Sequence, residues 1–164
     1  LGLEPSMSGA QISKSRNLRV ECGTLENCFQ REYTTVLSAL DVVEHLVDPH
    51  SFIDSLKCRL APGGLLLLVT GDAGSWAARK AGRKWSYLRW CGHVSVFSAA
   101  GLLKLLKKHG FQIVTWQRCN HPASAGGVAW WRVHLLEPAR YMLGRKESRY
   151  PFWNDHQTLV ARLY

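Results

Sequence analysis

The sequence predicts an α/β fold in which apolar strands alternate with amphipathic helices. Three segments carry this prediction: LDVVEHLVDP at Leu40–Pro49, APGGLLLLVTGD at Ala61–Asp72, and a leucine-rich segment closed by HGF at His109–Phe111. Their order and spacing indicate a strand, a crossover helix, a second strand, a long loop and another helix. Open sheets of this kind bind ligands at the carboxyl ends of their strands, so we expect the chemistry at that edge.

The first part of the chain contains three predicted strands. Leu1–Ser6 (LGLEPS) is typical of the end of a buried strand that runs into a turn. Leu18–Glu21 is a short strand candidate. The β-branched segment Tyr33–Leu40 predicts a longer strand that leads into the LDVVEHLVDP motif.

A helix and a buried strand follow. Asp48 and Pro49 provide an N-cap and a first-turn proline, and apolar residues then recur on one face, which predicts a helix over Asp48–Leu60. We expect Ala61–Gly64 to break this helix. The continuous apolar run Leu65–Thr70 predicts a strand that a parallel sheet buries on both faces.

The last predicted elements are a helix, two strands and a segment between the strands. Ser98 caps a helix that carries four leucines and ends at Gly110. Phe111–Gln117 and Gln157–Leu163 predict strands. Between them, Gly127–Gly144 is aromatic and apolar with an interrupting proline, which predicts two short helices that form a lid, a dimer contact or a membrane-surface element.

The composition is that of one domain. The chain has 164 residues, of which 46% are hydrophobic and 20% are charged, as is ordinary for a globular domain. No apolar run approaches the roughly 20 residues that span a bilayer, and no secretory signal is visible, so we expect a cytoplasmic location. The five cysteines are odd in number and form no C-x-x-C pair, which argues against a disulfide framework or a zinc site.

The net charge of +9 and the seven tryptophans favour acidic partners. Many of the basic and aromatic residues lie in the loop that precedes His93, which contains Trp76, Arg79, Lys80, Arg83, Lys84, Trp85, Tyr87, Arg89 and Trp90. Such a surface can stack a sugar or aromatic ring and neutralise a phosphate or carboxylate. Equally, the tryptophans can pack against the fold and leave the cations solvated.

The succession GLEPS, GTLE, LDVVEHLVDP, APGGLLLLVTGD, HVSVFS and LLKKHGF resembles the class I S-adenosylmethionine (SAM)-dependent methyltransferases. The similarity is to the bacterial small-molecule and saccharide type, which is related to the ubiquinone-pathway O-methyltransferases, and it covers Leu1 to about Gln117. It implies a Rossmann-like methyltransferase sheet, SAM as the cofactor, and methyl transfer at oxygen to a small-molecule acceptor. The motifs specify the fold and the cofactor more closely than the acceptor.

The resemblance also assigns residues to the cofactor. Glu4 stands where the family's acidic residue binds the ribose hydroxyls, a task that suits a carboxylate. Thr24 and Leu25 belong to GTLE, which resembles the loop that contacts adenine but is equally consistent with a helix-capping turn. Leu40 and Asp41 end a strand at the ligand-binding edge.

One part of the family pattern is missing from this sequence. The glycine-rich turn and the first strand, which should come before Leu1, are not present. In the family that strand lies in the middle of the sheet, so its absence leaves strand edges with unpaired backbone groups. We therefore expect residues 1–164 to be a single partial methyltransferase domain, truncated at the N-terminus, that binds SAM weakly or not at all unless the upstream segment is restored.

The same resemblance gives the D-x-x-E-H motif a catalytic interpretation. Asp41, Glu44, His45 and His93 resemble the set that binds a divalent metal in ubiquinone-pathway and small-RNA methyltransferases, with Asp41 in place of the usual glutamate. The alternative is a structural role for Glu44 and His45, as in relatives that work without metal. His93 is a candidate general base for the acceptor proton, or a structural histidine that anchors the loop.

The sequence allows more than one kind of partner and more than one class of protein. The basic, aromatic loop favours an anionic or saccharide acceptor, and basic residues at Arg145, Lys146 and Arg149 allow a peripheral membrane contact. A second class is a module that binds single-stranded nucleic acid without catalysis, although no short nucleic-acid motif is visible. A third is a nicotinamide-dependent oxidoreductase, whose fingerprint glycines are also missing.

Overall fold

The computed structural model describes residues 1–25, 27, 33–119 and 155–164. Strands and helices alternate over these ranges, as the sequence predicts. The elements are β1 (Gly2–Glu4), α1 (Met7–Ser15), β2 (Val20–Cys22), β3 (Thr34–Leu40), α2 (Pro49–Lys57), β4 (Leu60–Gly71), α3 (Trp76–Ala81), α4 (Ala99–Lys108), β5 (Phe111–Cys119) and β6 (His156–Leu163). Three short 3-10 turns lie at Val43–His45, Gly82–Lys84 and Ser86–Arg89.

The described strands form two sheets. In the larger one, β3, β4, β6 and β5 pair in that order, with β3 parallel to β4, and with β6 antiparallel to both β4 and β5. The strands β1 and β2 form a separate parallel pair. Consequently β1 and β3 end at the predicted cofactor residues Glu4 and Leu40 but belong to different sheets.

Leucines from the strands and helices form the main core. The central strands contribute Leu66 and Leu68 from β4 and Leu159 from β6, all completely buried. Ile53 of α2 and Leu106 of α4 pack into the same cluster. Alternating residues of β4 face this core, which is why the apolar pattern of the strand predicts its position.

The predicted starts of α2 and α4 are confirmed. The Asp48 carboxylate accepts hydrogen bonds from the backbone N–H groups of His50 and Ser51, and Pro49 occupies the first helical turn. The Ser98 hydroxyl accepts from the Gly101 N–H at 3.2 Å. Both caps satisfy N–H groups that have no partner inside the helix.

Two predicted boundaries are wrong, and one helix was not predicted. α2 ends at Lys57, and β4 begins at Leu60, so Ala61–Gly64 lies inside the strand instead of breaking a helix. The pairing of β3 with β4 explains this, because Thr34 pairs with Leu60 whereas Val36 pairs with Leu65, and the four residues between them bulge out of register. α1, with only Ala10 buried, carries too weak an apolar pattern to be predicted.

The two short helices predicted within Gly127–Gly144, and the basic residues that follow them, lie outside the described residues. Over the described ranges, no helix has the length and apolar character needed to cross a membrane. Among the described residues, the cysteines at positions 22, 58, 91 and 119 are free thiols.

Candidate functional site

A pocket with a volume of about 510 Å³ opens at the carboxyl ends of β3 and β4. The residues after β3, the loop after β4 and the first residue of β6 meet there, because β6 runs antiparallel to β4 and begins beside the end of that strand. The described lining residues are Asp41, Glu44, His45, Ser86, Tyr87, Trp90, His93, Asp155 and His156. The pocket therefore lies at the edge where the sequence predicts the chemistry.

Glu44 is a completely buried carboxylate in this pocket wall. Its Oε2 accepts a hydrogen bond from the Thr70 hydroxyl at 2.9 Å, and its backbone carbonyl accepts from the N–H groups of Val94 and Ser95. Its Oε1 is buried and has no hydrogen-bond partner among the described residues. A buried carboxylate oxygen without a partner is costly unless a ligand satisfies it.

His45 and His93 present their Nε2 atoms in the same way. His45 Nδ1 lies 2.8 Å from the Gly92 carbonyl oxygen, and His93 Nδ1 lies 2.7 Å from the Tyr87 carbonyl oxygen. A carbonyl only accepts, so each Nδ1 carries a hydrogen and donates it. In the neutral ring, Nε2 is then the atom with a lone pair, available to a proton or a metal ion.

The structure brings Glu44, His45 and His93 together. Their potential ligand atoms all lie within 4.8 Å of one another, and the two imidazole rings meet edge to face with centroids 4.8 Å apart. Asp41 lines the same pocket but is not part of this group. Two imidazole nitrogens and one carboxylate form a donor set that suits a transition metal ion.

The residues assigned to the cofactor are more dispersed. Glu4, at the end of β1, accepts a hydrogen bond from the Ser6 N–H at 3.0 Å through Oε1; a carboxylate has further acceptor capacity for ribose hydroxyls. Thr24 is exposed. Leu25 packs against the main core, and its carbonyl accepts from Arg59 Nη2.

Leu40 and Asp41 lie at the end of β3, as predicted. Leu40 is 53% exposed. Asp41 adopts a positive φ of 52°, and its N–H donates to the Val69 carbonyl of β4. The left-handed backbone turns the chain away from the sheet directly before the 3-10 turn that carries Glu44 and His45.

Asp155 and His156 form part of the pocket that the sequence prediction missed. Both are buried, and His156 Nδ1 donates to Asp155 Oδ1 at 2.8 Å. Trp85 Nε1 donates to Asp155 Oδ2 at 3.1 Å. Burial opposes ionisation of Asp155, but these two hydrogen bonds outweigh it and hold the pKa of the carboxyl below its usual value. The sequence signal that could have revealed them is their position, since Asp155 and His156 directly precede the predicted strand Gln157–Leu163.

The basic residues of the loop do not line the pocket. The described lining has three carboxylates and no lysine or arginine. Lys80 lies over the Trp76 ring, 4.6 Å from its centroid, and the loop cations are exposed: Arg79, Lys80, Arg83, Lys84 and Arg89. The described lining of the pocket is therefore acidic, and the loop cations are exposed residues outside that lining.

A family model described as a methyltransferase domain matches residues 2–115. The chain belongs to this methyltransferase family. The match covers all of the described lining residues except Asp155 and His156, and it favours the methyltransferase interpretation over a nicotinamide-dependent oxidoreductase. The fold class and the family predicted from the sequence are thereby confirmed.

Curated relatives carry the name ubiquinone biosynthesis O-methyltransferase. The protein from Nitrobacter winogradskyi is 30% identical over 76 residues, which are 43% of this chain and 29% of the relative. That from Bradyrhizobium diazoefficiens is 32% identical over 76 residues, 43% of this chain and 30% of the relative. The methyltransferase chain thus spans less than a third of the length of these relatives.

Solved structures share the fold at low identity. A SAM-dependent methyltransferase of Thermotoga maritima, a possible histamine N-methyltransferase, superposes with a TM-score of 0.68 at 18% identity, covering 100% of this chain and 73% of its own. The N-methyltransferase NodS of Bradyrhizobium japonicum, in complex with S-adenosylhomocysteine, gives 0.58 at 14% identity, covering 98% and 64%. These likenesses show a Rossmann-like methyltransferase fold.

Proposed function

We propose that this methyltransferase transfers the methyl group of SAM to a hydroxyl oxygen of a small-molecule acceptor bound in the pocket. The observation that carries the proposal is the meeting of Glu44, His45 and His93 at the carboxyl ends of β3 and β4. Potential ligand atoms of the three residues lie within 4.8 Å of one another, and the Glu44 Oε1 atom has no hydrogen-bond partner among the described residues. Family membership supports SAM as the cofactor, and the curated relatives support oxygen as the methylated atom.

SAM supplies an electrophilic methyl group on a sulfonium sulfur when it is bound. The chain's task is to align the acceptor oxygen with that methyl group and to accept the proton that the hydroxyl loses. We assign the proton to His93 Nε2, since Nδ1 already carries a hydrogen. Transfer would join the methyl carbon to the acceptor oxygen as its bond to sulfur breaks, and His93 would hold the proton that the hydroxyl loses, so that S-adenosylhomocysteine and a methyl ether would be the products.

Glu44 has a defined part in this scheme. Its negative charge lies close to the His93 ring, so it stabilises the imidazolium that forms. Glu4 is the proposed partner of the cofactor ribose, and Thr24, Leu25, Leu40 and Asp41 are the proposed remaining cofactor contacts. Of these, Leu25 serves the core of the larger sheet as well.

A divalent metal ion is an alternative occupant of the same group. Glu44, His45 and His93 would hold it, since the unpartnered Glu44 Oε1 and the two imidazoles fixed through Nδ1 fit a metal ligand set. Such an ion supplies Lewis acidity that lowers the pKa of an acceptor hydroxyl. In that case His93 is a ligand and not the base.

For the acceptor we propose an anionic or saccharide molecule whose reacting hydroxyl enters the pocket. The three carboxylates of the lining repel an anion inside it. A phosphate or carboxylate of the acceptor would therefore remain outside, where Arg79, Arg83 and Lys84 are exposed. Trp90, which lines the pocket and is 65% exposed, offers a face for a sugar ring.

The test is an assay for methyl transfer from saturating SAM to a panel of hydroxyl-bearing saccharides and phenols, followed by mass spectrometry. We expect His93→Gln and Glu44→Gln to lower the rate by about 100-fold or more, while the control His50→Gln on α2 leaves it unchanged. Activity that is lost on chelation and restored by added metal assigns the metal alternative. No turnover with any acceptor, together with strongly salt-dependent binding of unrelated single-stranded nucleic acids, would replace the enzyme by the binding module.

A further inference from the structure

Tyr87 contacts both halves of the proposed site. It lies in the 3-10 turn Ser86–Arg89 of the loop after β4, lines the pocket and is 9% exposed. Its ring and its backbone carbonyl both contact His93, whereas its hydroxyl contacts Thr70 and Gly71. In the sequence, Tyr87 is one of several aromatic residues of this loop, and no motif there gives it a role in the reaction.

The ring and the backbone carbonyl of Tyr87 hold His93. The two ring centroids are 4.0 Å apart with a tilt of 42°, and His93 Nδ1 donates to the Tyr87 carbonyl at 2.7 Å. One residue thus sets the position of the imidazole and also its tautomer. Nε2 of His93 is left for the reaction.

The hydroxyl of Tyr87 connects to Glu44 through Thr70. The Thr70 hydroxyl has one hydrogen, which it donates to Glu44 Oε2 at 2.9 Å. Its contact with the Tyr87 hydroxyl at 3.1 Å must therefore be a hydrogen bond donated by Tyr87. The Tyr87 oxygen in turn accepts from the Gly71 N–H at 2.9 Å, so a directed chain runs from the β4 backbone to the Glu44 carboxylate.

Buried neighbours keep Tyr87 in this place. Trp85 stacks on the Tyr87 ring with centroids 5.0 Å apart, and its Nε1 donates a hydrogen bond to Asp155. His156 meets the ring edge at 5.3 Å. Burial raises the pKa of the Tyr87 phenol far above its ordinary value, so the hydroxyl keeps the hydrogen that it donates.

We propose that Tyr87 is a positioning residue that aligns Glu44 through its hydroxyl and His93 through its ring and carbonyl. This inference rests on the proposed function for its catalytic meaning, but the alignment itself is a property of the protein without substrate. We call the hydrogen bonds that run from the Tyr87 hydroxyl through Thr70 to Glu44 the hydroxyl arm, and the ring and carbonyl contacts with His93 the histidine arm. Substitutions distinguish the two arms. Tyr87→Phe removes only the hydroxyl arm, whereas Tyr87→Leu also removes the ring that packs on His93.

The experiment measures the two arms directly on the 164-residue chain. Nitrogen-15 NMR of the imidazole rings reports the tautomer of His93, and the carbon-13 carboxyl signal of Glu44 reports the hydroxyl arm. Affinity for Mn²⁺, followed by the EPR signal of the free ion, reports both. The negative control is Tyr164→Phe, which removes a hydroxyl that bonds Gln112 at the surface. Thr70→Val serves as a second test of the hydroxyl arm, because it breaks the same chain of hydrogen bonds and leaves Tyr87 in place. Circular dichroism verifies that each variant is folded.

We expect Tyr87→Phe to shift the Glu44 signal, to keep His93 in the Nδ1–H form and to weaken Mn²⁺ binding about 10-fold or more. Thr70→Val should have the same effects. The double variant with both Tyr87→Phe and Thr70→Val should lose no more Mn²⁺ affinity than either single variant, because both substitutions break the same chain of hydrogen bonds. Tyr87→Leu should also give His93 a mixed tautomer spectrum. The inference is overturned if Tyr87→Phe behaves like Tyr164→Phe and Tyr87→Leu leaves the His93 spectrum unchanged.

The design separates this inference from the proposed function. If Mn²⁺ affinity does not depend on Glu44, as tested with Glu44→Gln, the metal alternative fails and the NMR signals still decide the role of Tyr87. If the wild-type chain methylates no acceptor, the enzyme proposal fails while the alignment of Glu44 and His93 remains measurable.

Discussion

Gly71 is the position where a single methyl group should do most harm to the site. It is the last residue of β4, and a Cβ built on it would lie 2.5 Å from Cε1 and 2.6 Å from Cζ of Tyr87. Tyr87 cannot move aside freely, because Trp85 and His93 pack against its ring. Gly71→Ala therefore forces either strain in a buried contact or displacement of Tyr87.

Both outcomes have a similar cost. Overpacking a well-filled site costs about 1–3 kcal/mol. Displacing Tyr87 instead leaves the buried Gly71 N–H without its acceptor, which also costs about 1–3 kcal/mol. We therefore expect the free energy of unfolding to fall by about 2 kcal/mol, which lowers the melting temperature by about 4–8 °C for a chain of this size.

The assay is thermal and urea unfolding followed by tryptophan fluorescence. Gly101→Ala in α4 is the matched control, because a Cβ there meets only the Ser98 hydroxyl oxygen, at an ordinary 3.4 Å. Alanine stabilises a helix relative to glycine by about 1 kcal/mol, so this variant should match or exceed the wild type. Equal stability of the Gly71→Ala and Gly101→Ala variants would refute the reasoning.

Three further predictions concern other parts of the molecule. Calorimetric titration should show only weak binding of S-adenosylhomocysteine to this chain, because Glu4 ends β1 and Asp41 follows β3, and these two strands belong to separate sheets; a tight isotherm would contradict this. A hydrogen bond from His109 lowers the pKa of Asp54, so its stabilisation is present above about pH 4, the unfolded value, and is lost as the pH falls further. Asp54→Asn should therefore flatten the acid limb of a urea-unfolding series, and an unchanged limb would count against the contact. Ser98→Ala should cost about 1 kcal/mol in urea unfolding, since it removes the cap of α4, and an unshifted midpoint would show that the cap is dispensable.

Local signals carried most of the fold prediction. The Asp48–Pro49 pair starts α2, and the leucine run of β4 marks a buried strand, because caps and apolar period act within a few residues of the chain. The bulge at Ala61–Gly64 escaped prediction since it depends on the register of β4 against β3, which no local pattern encodes.

The site shows the same division. Glu44, His45 and His93 were found because they belong to motifs with fixed spacing. Tyr87 and His156 were not, since their positions beside the pocket depend on how the loop after β4 folds back and on the antiparallel pairing of β6 with β4. Contacts between residues distant in sequence leave no period to detect.

The charge of the pocket constrains the kind of acceptor that the proposed reaction can use. If SAM binds beside this pocket as proposed, the three carboxylates of the lining would stabilise its positive sulfonium before transfer. Methyl transfer to an acceptor that arrives already ionised would remove that positive charge, and the pocket would favour the reactants over the transition state. If the acceptor arrives as a neutral hydroxyl and gives its proton to His93, the positive charge moves from sulfur to the imidazole and stays beside Glu44. The acidic lining is then compatible with catalysis, which favours a neutral hydroxyl and a base inside the pocket.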